Sequence, residues 1–552
     1  MFDEVFSESL PLADLLVRSA ARYPDQVAIA FPDLELSYRE VLAQAVEAAR
    51  GLSALGVRAG DHVGILMPNS PEFIAGYFGI ALLGAVIVPI NARFRGPELA
   101  FVLGHAEVDV LLSTATAGDR MALRATIAEG LPELADAPAD QPLHLDAMPR
   151  LRRVVMMQGD AGPGITGAEA FRAAAATVDP ADIDRARSFV RGRDVALILY
   201  TSGTTAHPKG CLISHEAITR GSVGRAAETV PWGRPHDRQA VWCALPLFHV
   251  AAMQTLLATL AMGAAFVTDV FLDGSRALAS IERYRVTSIW PWFIAPMNAL
   301  LNAEDFDPAR LASVTSVLLV GPPSELRRVQ RLLPQADLIN GGGMTEATGY
   351  YAMSSRSDTP EQRATTCGRM VAGAEGRVVD PDTGLEVPRG ELGELQVRGY
   401  SIMLGYYRDP ERTAEAVIDG GWLRTGDLFR MLDSGHLVYE GRLKDMLKVG
   451  GENVPAVEVE ALLCSHPDVL IAEVVSRHDP RLDEVPVAFV ELAPGAVVTE
   501  AELIEYCRTR AARFKVPRAV YFKRGDEWPM SATKVNKVAL RQEVRDMAEL
   551  PG

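Results

Sequence analysis

The sequence has few cysteines, no basic surplus and no metal-ligand cluster, and each absence excludes a class of protein. The five cysteines are scattered, odd in number and without a CxxC pair, so neither a disulfide framework nor a zinc site is indicated. The net charge of −16 argues against nucleic acid or an anionic membrane as the main partner, because both require a broad basic surface. The ten histidines show no metal-ligand spacing. Because the first residues also lack the basic start of a signal peptide, we expect a cytoplasmic protein.

Only one hydrophobic run is long enough to suggest a membrane span. Residues 73–90 are apolar or glycine throughout. Gly84 divides this run into a helix-like part and a β-branched part, and residues 253–267 repeat the pattern around Gly263. The simpler prediction is therefore a helix followed by a buried strand in both places, with no integral membrane segment.

The length of 552 residues predicts two or more domains. Apolar strands alternate with helical segments, which predicts α/β layers with mainly parallel sheets. Residues 136–158 interrupt this pattern with proline and polar residues, and we interpret them as a surface excursion. From Gly399 many glycines and short alternating strands appear, and a compact α+β segment begins at Leu443. We therefore predict a large N-terminal domain, residues 1–441, and a small C-terminal α+β domain, residues 442–552.

The segment from Tyr200 to Gly210, YTSGTTAHPKG, carries the first chemical signal. Glycine lets backbone N–H groups approach an anion closely, the Thr and Ser hydroxyls add donors, and Lys209 supplies a positive charge. The segment therefore predicts a polyphosphate-binding loop, with ATP as the first ligand to expect. Pro208 precedes the lysine and Gly210 follows it, so this is not a Walker A loop, and an ordinary P-loop kinase or GTPase is disfavoured.

Four further motifs follow the phosphate loop along the chain. They are Pro246-Leu247-Phe248-His249-Val250, Gly343-Met344-Thr345-Glu346, Gly421-Trp422-Leu423-Arg424-Thr425-Gly426-Asp427, and Gly441-Arg442-Leu443-Lys444-Asp445 continuing into Lys448-Val449-Gly450-Gly451-Glu452-Asn453-Val454. In this order and at this spacing the five motifs resemble those of the ANL superfamily of adenylate-forming enzymes. That superfamily includes acyl- and aryl-CoA synthetases, peptide-synthetase adenylation domains and luciferases. The resemblance covers nearly the whole chain.

The resemblance implies an ATP-dependent acid–CoA ligase with the ANL fold. A carboxylate would attack the α-phosphate of ATP to give an acyl-adenylate and pyrophosphate, and the thiol of CoA would then displace AMP. Mg²⁺ and fixed donors would meet the charge that develops on the phosphate. The small C-terminal domain would be mobile and rotate about a hinge near residues 442–445 between the two half-reactions.

The resemblance also assigns residues to ATP and Mg²⁺. Glu346 and Thr201 are the candidate Mg²⁺ ligands. Asp427 would accept hydrogen bonds from the ribose hydroxyls, and Arg442 would hold ribose or phosphate. The phosphate-site candidates are Thr201, Ser202, Gly203, Thr204, Thr205, Lys209 and Thr345, and the adenine-side candidates are Gly321, Pro322, Gly342, Gly343 and Met344. Gly342 stands where the superfamily commonly has an aromatic residue on adenine, so either one face of the base is less covered or another side chain is recruited. A lone Asp or Arg would otherwise predict a surface salt bridge.

The C-terminal candidates are lysines and glycines that would act in turn. Lys534 matches the lysine that bridges carboxylate and α-phosphate during adenylation, with Lys537 as its rival. Lys448 would assist thiolysis, and Gly450 and Gly451 would line the pantetheine tunnel, where a thin arm passes close to backbone. The alternative for each lysine is a solvated surface position.

The acid itself is less well specified by the sequence. His249 is either a core histidine or a residue at the mouth of the acyl pocket, and residues 290–293, WPWF, are either a wall of that pocket or plain core. The paired tryptophans favour a small carboxylic acid of the aryl or short-to-medium acyl class. A homodimer is the default oligomeric state.

Two other functions remain open at this point. In the first, the protein adenylates its substrate but uses another acceptor, such as a carrier-protein thiol or an amine, or it adenylates nitrite for diazotisation. In the second, the protein binds nucleotide without turnover, an alternative that Gly342 and the altered lysine loop suggest.

Overall fold

The computed structural model describes residues 9–115, 120–139, 141–201, 208–229, 239–449, 452–531 and 534–549. Within these ranges the side chains of residues 225, 227–229, 448, 452, 453, 483, 531, 534, 548 and 549 are not described. The strands are β1 Val27–Phe31, β2 Leu34–Ser37, β3 His62–Leu66, β4 Val86–Pro89, β5 Val110–Thr114, β6 Arg153–Gln158, β7 Thr166–Gly167, β8 Val195–Thr201, β9 Lys209–Ser214, β10 Ala240–Cys243, β11 Ala265–Val267, β12 Ser288–Phe293, β13 Ser316–Val320, β14 Asp337–Ile339, β15 Gly341–Met344, β16 Gly349–Met353, β17 Arg369–Met370, β18 Ala374–Val379, β19 Leu392–Gly399, β20 Gly405–Tyr406, β21 Val417–Ile418, β22 Trp422–Met431, β23 Leu437–Arg442, β24 Met446–Val449, β25 Glu452–Pro455, β26 Val469–Asp479, β27 Asp483–Leu492, β28 Val520–Phe522, β29 Met530–Ser531 and β30 Lys534–Val535. The helices are α1 Leu12–Arg22, α2 Tyr38–Ala54, α3 Pro71–Leu82, α4 Gly96–His105, α5 Leu123–Gly130, α6 Ala168–Ala175, α7 Pro180–Arg187, α8 His215–Thr229, α9 Val250–Ala261, α10 Gly274–Arg283, α11 Ile294–Leu301, α12 Pro323–Leu332, α13 Pro360–Thr365, α14 Pro410–Ala416, α15 Ala456–Cys464, α16 Glu500–Arg508 and α17 Lys537–Glu549, and 3₁₀ turns lie at Pro132–Asp136, Pro308–Leu311, Thr345–Ala347, Leu443–Asp445 and Arg513–Lys515.

The N-terminal domain contains two smaller antiparallel sheets, β15-β16-β17 and β18-β19-β22-β21 with β23 paired to β22. It also contains two large sheets, as the strand and helix alternation predicted. In the first, the order is β14-β13-β12-β10-β11-β1-β2, and only β2 is antiparallel to its neighbour. In the second, the order is β20-β9-β8-β4-β3-β5-β6-β7, parallel from β8 to β7, with β9 and β20 antiparallel at the other edge. One hydrophobic core takes side chains from both sheets and from α1, α2, α3 and α9. The prediction of α/β layers with mainly parallel sheets is confirmed.

The two helix–glycine–strand segments also form as predicted, one in each sheet. Helix α3 is buried on all sides from Phe73 to Leu82, which explains why its sequence is apolar all round. Gly84 (φ +67°) and Gly263 (φ +70°) adopt the left-handed conformation that ends α3 and α9, and the chain then enters β4 or β11. Among the residues that the structure describes, no helix is long and apolar enough to cross a membrane.

The interpretation of residues 136–158 as a surface excursion is wrong for its last part. Residues 153–158 form β6, which pairs in parallel with β5 inside the second sheet. Val154 and Val155 are fully buried there. The proline and polar residues before β6 concealed a short apolar strand, because a six-residue strand gives little periodic signal of its own.

The last part of the chain forms a separate α+β unit with its own hydrophobic cores. Strands β25-β24-β27-β26 form a sheet to which β28 adds in parallel, and α15, α16 and α17 pack against it. Its cores contain residues between Leu447 and Val544 only. The large N-terminal and small C-terminal domains are therefore as predicted, whereas the boundary at residues 441 and 442 stays a prediction. Arg442 is the last residue of β23 and immediately precedes the 3₁₀ turn Leu443–Asp445.

Candidate active site

The phosphate-loop candidates lie on a hairpin at one edge of the second sheet. Thr201 ends β8 and pairs across the hairpin with Lys209, which begins β9. Ser202, Gly203, Thr204 and Thr205, predicted to bind phosphate, lie outside the described residues. Gly210 has to be glycine, because a Cβ there would lie 2.7 Å from Cγ2 of Ile198. The amide of Tyr407 donates to the carbonyl of Gly210 over 2.7 Å, so the base of the hairpin is held from the other side of the site.

Glu346 and Lys209, far apart in sequence, meet at the ring of Tyr406. The Tyr406 hydroxyl donates to Oε1 of Glu346 over 3.0 Å. Nζ of Lys209 lies 4.9 Å from the centre of the same ring, within the range of a cation–π contact. Burial and the neighbouring carboxylate of Glu346 raise the pKa of Tyr406, so its hydroxyl stays a donor. The structure thus joins two predicted site residues through one that the sequence did not predict.

A tight turn holds Thr345 and Glu346, which are only partly buried, whereas Ala347 in the same turn is buried. The 3₁₀ turn Thr345–Ala347 is followed by Thr348 and Gly349, both with positive φ. Nε2 of Gln254 donates to the carbonyl of Thr348 over 2.7 Å, and a Cβ at position 349 would lie 2.0 Å from Oε1 of Gln254. Helix α9 therefore braces the turn, and the glycine at 349 is required by both its conformation and its close packing.

The ribose candidates form an ion pair across two adjacent strands. Asp427 on β22 is paired in register with Arg442 on β23, and their Oδ1 and Nε atoms lie 3.1 Å apart. Asp427 is only 5% exposed. Burial disfavours the charge of the Arg442 guanidinium, but the carboxylate of Asp427 outweighs it and raises the pKa of Arg442. Glu346 adds to this effect. The candidates for metal, ribose and phosphate thus belong to one electrostatic neighbourhood.

The glycines of β15 leave room for two tyrosine rings from β16. A Cβ at Gly341 would lie 2.7 Å from the ring of Tyr350, and a Cβ at Gly342 would lie 3.1 Å from the ring of Tyr351. The space next to position 342 is therefore filled by Tyr351, and burial, followed by the negative charge of Asp427, raises the pKa of the Tyr351 hydroxyl. Tyr351 is itself only 1% exposed, and which side chain covers adenine beside Gly342 stays a prediction.

The remaining adenine-side candidates border the same strands. Gly343 packs so closely that a Cβ would lie 2.4 Å from the carbonyl oxygen of Gly349, and Met344 is partly buried against the core. Gly321 and Pro322 follow the last residue of β13, and Pro322 caps α12. The carboxyl end of a parallel strand is where α/β sheets bind ligands, which fits the predicted position.

On the acyl side, His249 begins α9 beside the aromatic segment of β12. Its Nδ1 accepts from the amide of Ala251 over 3.2 Å, and its half-buried ring meets the ring of Phe293 edge-on at 6.1 Å. Trp292 is buried, with positive φ, and stacks on Tyr350 at 4.7 Å between ring centres. An enclosed gap of about 10 Å³ lies beside this pair. Residues 290–293 are therefore part of the core, and Phe293 also contacts His249, the residue predicted at the mouth of the acyl pocket.

The C-terminal candidates are described in part. Lys448 lies in β24 opposite Asn453, and Lys534 lies in β30 opposite Ser531. The side chains of both lysines, and Gly450 and Gly451 altogether, are outside what the structure describes. Lys537, the rival of Lys534, is partly buried and paired with Glu460 and Glu473. This pairing favours Lys534 as the lysine that is available to a substrate.

Sequence reasoning missed Tyr406, Tyr351 and Gln254. Tyr406 reaches Glu346 because the short strand β20 pairs with β9, a contact between residues almost 200 positions apart in the chain. The Gly405-Tyr406-Tyr407 triplet was the only local signal, and an aromatic pair after glycine is common. Tyr351 and Gln254 lie in apolar runs, where the sequence predicts core.

Comparison with known proteins identifies the family. Residues 16–407 match the model of AMP-binding enzymes, and residues 458–534 match the model of the C-terminal domain of AMP-binding enzymes. The chain is 34% identical over 540 residues to a CoA ligase of Mycobacterium tuberculosis named for a propanoyl group on a bicyclic methyl-dioxo-octahydroindene, with 96% of this chain and 97% of the relative covered. It is 30% identical over 507 residues to a 4-coumarate–CoA ligase of Humulus lupulus, with 90% and 85% covered.

A solved structure gives the same result for the fold. The crystal structure of the anthranilate CoA ligase AuaEII in complex with anthranoyl-AMP aligns with a TM-score of 0.84 at 25% identity, and the alignment covers 98% of both chains. The match extends over both domains, so the whole chain has the architecture that the five motifs implied.

Proposed function

The chain belongs to the family of AMP-binding enzymes, within the ANL superfamily, and from this premise we propose that it is an ATP-dependent, AMP-forming acid–CoA ligase. The observation that carries the proposal is the single polar site formed by Lys209, Tyr406 and Glu346 beside the Asp427–Arg442 pair. These groups supply a cation for phosphate, a carboxylate for a metal and a carboxylate acceptor for ribose. The near-full-length identity to CoA ligases supports CoA as the thiol.

In the first half-reaction a carboxylate oxygen of the acid attacks the α-phosphorus of ATP, and the bond to the β-phosphate breaks to release pyrophosphate. Thr201, Thr345 and Lys209 would bind the phosphates, and the loop 202–205 would add donors. Glu346 fits Mg²⁺, because magnesium is bound through one or two carboxylates together with substrate phosphates, and when bound it neutralises charge on those phosphates. Asp427 would accept hydrogen bonds from the ribose hydroxyls.

In the second half-reaction the CoA thiol attacks the acyl carbon, and AMP leaves. We assign Lys534 to the first half-reaction and Lys448 to the second, with Gly450 and Gly451 along the path of the pantetheine arm. This division requires the domain of residues 442–552 to rotate about residues 442–445 relative to residues 1–441. His249, at the start of α9, would stand where the acid and the α-phosphate meet.

The acid is proposed to be small, of the aryl or short-to-medium acyl class. The half-buried rings of Phe293 and His249 offer aromatic surface, and the buried stack of Trp292 and Tyr350 lies next to Phe293. Flat rings are bound well by such surfaces. Two names among the relatives, 4-coumarate–CoA ligase and anthranilate CoA ligase, refer to aryl acids and point the same way, whereas the name of the Mycobacterium tuberculosis ligase refers to a bicyclic acid without an aromatic ring.

Mass spectrometry of the purified protein with Mg·ATP, CoA and a pooled panel of carboxylic acids tests the proposal. We expect one acyl-CoA to form, and its mass identifies the acid; Glu346→Gln should lose the product while the protein stays folded. An acyl-adenylate without its thioester would indicate an acceptor other than CoA, such as a carrier-protein thiol or an amine. Calorimetric ATP binding without any product would overturn the ligase assignment in favour of a nucleotide-binding protein.

A homodimer and a cytoplasmic location complete the proposal. The odd, scattered cysteines suit a reducing compartment. Light scattering coupled to size exclusion gives the oligomeric state, and fractionation of cells with an antibody against the protein gives the location. A monomer, or protein in a secreted fraction, would contradict the respective statement.

A further inference from the structure

A partly buried ion-pair network joins the hinge segment to the last described helix. We call it the hinge–helix network and define it as Asp445, Glu460, Glu473, Lys537 and Arg541. Nζ of Lys537 pairs with Oε1 of Glu460 and lies 3.3 Å from Oε2 of Glu473, while Nη2 of Arg541 pairs with Oδ1 of Asp445. The side chains are only 15% to 21% exposed. Water and salt screen partly buried pairs less than exposed ones, so each of these pairs is stronger than a surface salt bridge.

The network fixes one face of α17 at its beginning. Lys537 is the first residue of the helix and Arg541 stands four residues later, so both point to the same face. Lys537 binds α15 and β26, and Glu460 is itself held because its Oε1 accepts from the amide of Val474 over 2.8 Å. Arg541 binds the 3₁₀ turn that contains Asp445. The first turns of α17 are therefore tied both to the sheet of the small domain and to the segment on which that domain is expected to rotate.

Charge explains why these pairs form. Burial disfavours the ammonium of Lys537, but the carboxylates of Glu460 and Glu473 outweigh it and raise the pKa of Lys537. Burial, and then the charge of Glu460, raises the pKa of Glu473. Each member is therefore costly to bury alone, and the group stabilises only one arrangement of α15, β26 and α17.

Lys534 is connected to this helix by only two residues. Its strand β30 pairs with β29, and the amide of Asn536 donates to the carbonyl of Pro529 over 2.6 Å, so the hairpin closes directly in front of Lys537. The hairpin is thus continuous with the first turn of α17, and Val535 of β30 packs on the same core as Leu540 of this helix. On the premise of the proposed function, we propose that Lys537 and Arg541 are positioning residues, which carry the orientation of the hinge segment to the hairpin of Lys534 and so place Lys534 for adenylation.

The chain offers a matched control on the same helix. Nζ of Lys523 lies 3.0 Å from Oε2 of Glu543, another residue of α17, but this pair ties the helix to the end of β28 and not to the hinge segment. Lys523→Met therefore removes an ion pair of α17 without touching the hinge–helix network. Arg541→Met removes the hinge link, and Arg541→Lys keeps the charge. The double variant Lys537→Met with Glu460→Gln removes the other link without leaving the Glu460 carboxylate unpaired.

Two measurements test the proposal in the full-length protein. The first is hydrogen exchange of residues 534–540 by mass spectrometry, which does not depend on activity. The second is the rate of each half-reaction: acid-dependent pyrophosphate exchange for adenylation, and CoA consumption of supplied acyl-adenylate for thiolysis. We expect Arg541→Met and the double variant to exchange about tenfold faster in this segment and to lose about tenfold in adenylation kcat, with the KM for ATP and the thiolysis rate within about twofold of wild type. Arg541→Lys should restore most of the loss, and Lys523→Met should show neither effect.

Equal losses in both half-reactions, or losses in Lys523→Met as large as in Arg541→Met, would mean that the network only stabilises the domain and would overturn the proposal. Unchanged exchange in both hinge–helix variants would also overturn it. Failure of the wild-type protein to form any adenylate would instead refute the ligase function, and the exchange measurement would still decide whether the network orders the hairpin.

Discussion

The hydroxyl of Tyr406 donates a hydrogen bond to the carboxylate of Glu346 over 3.0 Å, and this bond connects a short edge strand to the predicted magnesium ligand. The amide of Met403 also donates to the carbonyl of Glu346 over 2.8 Å, so both the backbone and the side chain of Glu346 are held by the segment before β20 and by β20 itself. One carboxylate oxygen is occupied by tyrosine. We expect the other oxygen to bind the metal.

Tyr406→Phe should therefore weaken the use of Mg²⁺ by the enzyme. Without the donor, the carboxylate of Glu346 loses its fixed orientation. We therefore expect the apparent dissociation constant for Mg²⁺ to rise and the kcat/KM of adenylation to fall about tenfold, or about 1.4 kcal/mol. The matched control is Tyr407→Phe, because the hydroxyl of Tyr407 binds Glu107 instead of Glu346. Pyrophosphate exchange at varied Mg²⁺ measures both quantities. Equal Mg²⁺ dependence in the two variants would show that the Tyr406 hydroxyl has no part in placing Glu346.

Lys534 and Lys448 should separate the two half-reactions. A lysine that meets charge developing at the carboxylate and α-phosphate acts in adenylation alone, so Lys534→Ala should reduce adenylation about 10²- to 10³-fold and spare the thiolysis of supplied acyl-adenylate. Lys448→Ala should do the reverse. Each variant is the control of the other, measured by pyrophosphate exchange and by CoA consumption. Near-normal adenylation by Lys534→Ala would refute its assignment.

The sequence predicts those features of the fold and of the site that depend on contacts between residues close together in the chain. The helix, turn and strand around Gly84 and Gly263 were predicted because their pattern lies within one short segment. Glu346 and Asp427 were selected through motifs, and the structure brings them into one neighbourhood. Tyr406 could not be predicted, because its role arises only when β20 pairs with β9, and such long-range pairing leaves no periodic trace in a two-residue strand.

Gly342 should tolerate an aromatic residue only when Tyr351 is removed. A Cβ at 342 already lies 3.1 Å from Cε2 of Tyr351, so Gly342→Phe should destabilise the protein by about 1–3 kcal/mol through overpacking. Adding Tyr351→Ala should restore part of this loss, as a positive coupling in a double-mutant cycle. Gly224→Phe is the matched control, because a Cβ at that exposed position meets nothing within 4 Å.

The same set of variants tests which ring serves the nucleotide. If Tyr351 takes the place of the aromatic residue missing at 342, Tyr351→Ala alone should weaken ATP binding, and Gly342→Phe with Tyr351→Ala should recover it. Denaturant unfolding gives the stability terms and calorimetry gives the ATP affinity. Unchanged ATP affinity in Tyr351→Ala would mean that this ring is only a packing element.

His215 should give the large domain a specific sensitivity to acid. Its ring is fully buried, and Nδ1 accepts a hydrogen bond from the amide of Leu12 over 3.1 Å, which docks the start of α1 on α8. Only an unprotonated Nδ1 can accept this bond. Burial lowers the pKa of His215 to about 4 in the folded protein, against a usual value of about 6.5. The unfolded chain therefore binds a proton more readily than the folded one between these two values.

The sign of the effect follows from that difference. The contribution of His215 to the free energy of unfolding is complete above about pH 6.5, decreases as the pH falls towards 4, and changes no further below that value. The total decrease is roughly 3 kcal/mol. His215→Asn retains an acceptor for the Leu12 amide but cannot titrate, so its free energy of unfolding should depend less steeply on pH over this interval than that of the wild type. Denaturant unfolding between pH about 4 and about 7.5 measures the two slopes, and His478→Asn, at an exposed position, is the control. Parallel slopes for His215→Asn and the wild type would place the acid sensitivity in other groups.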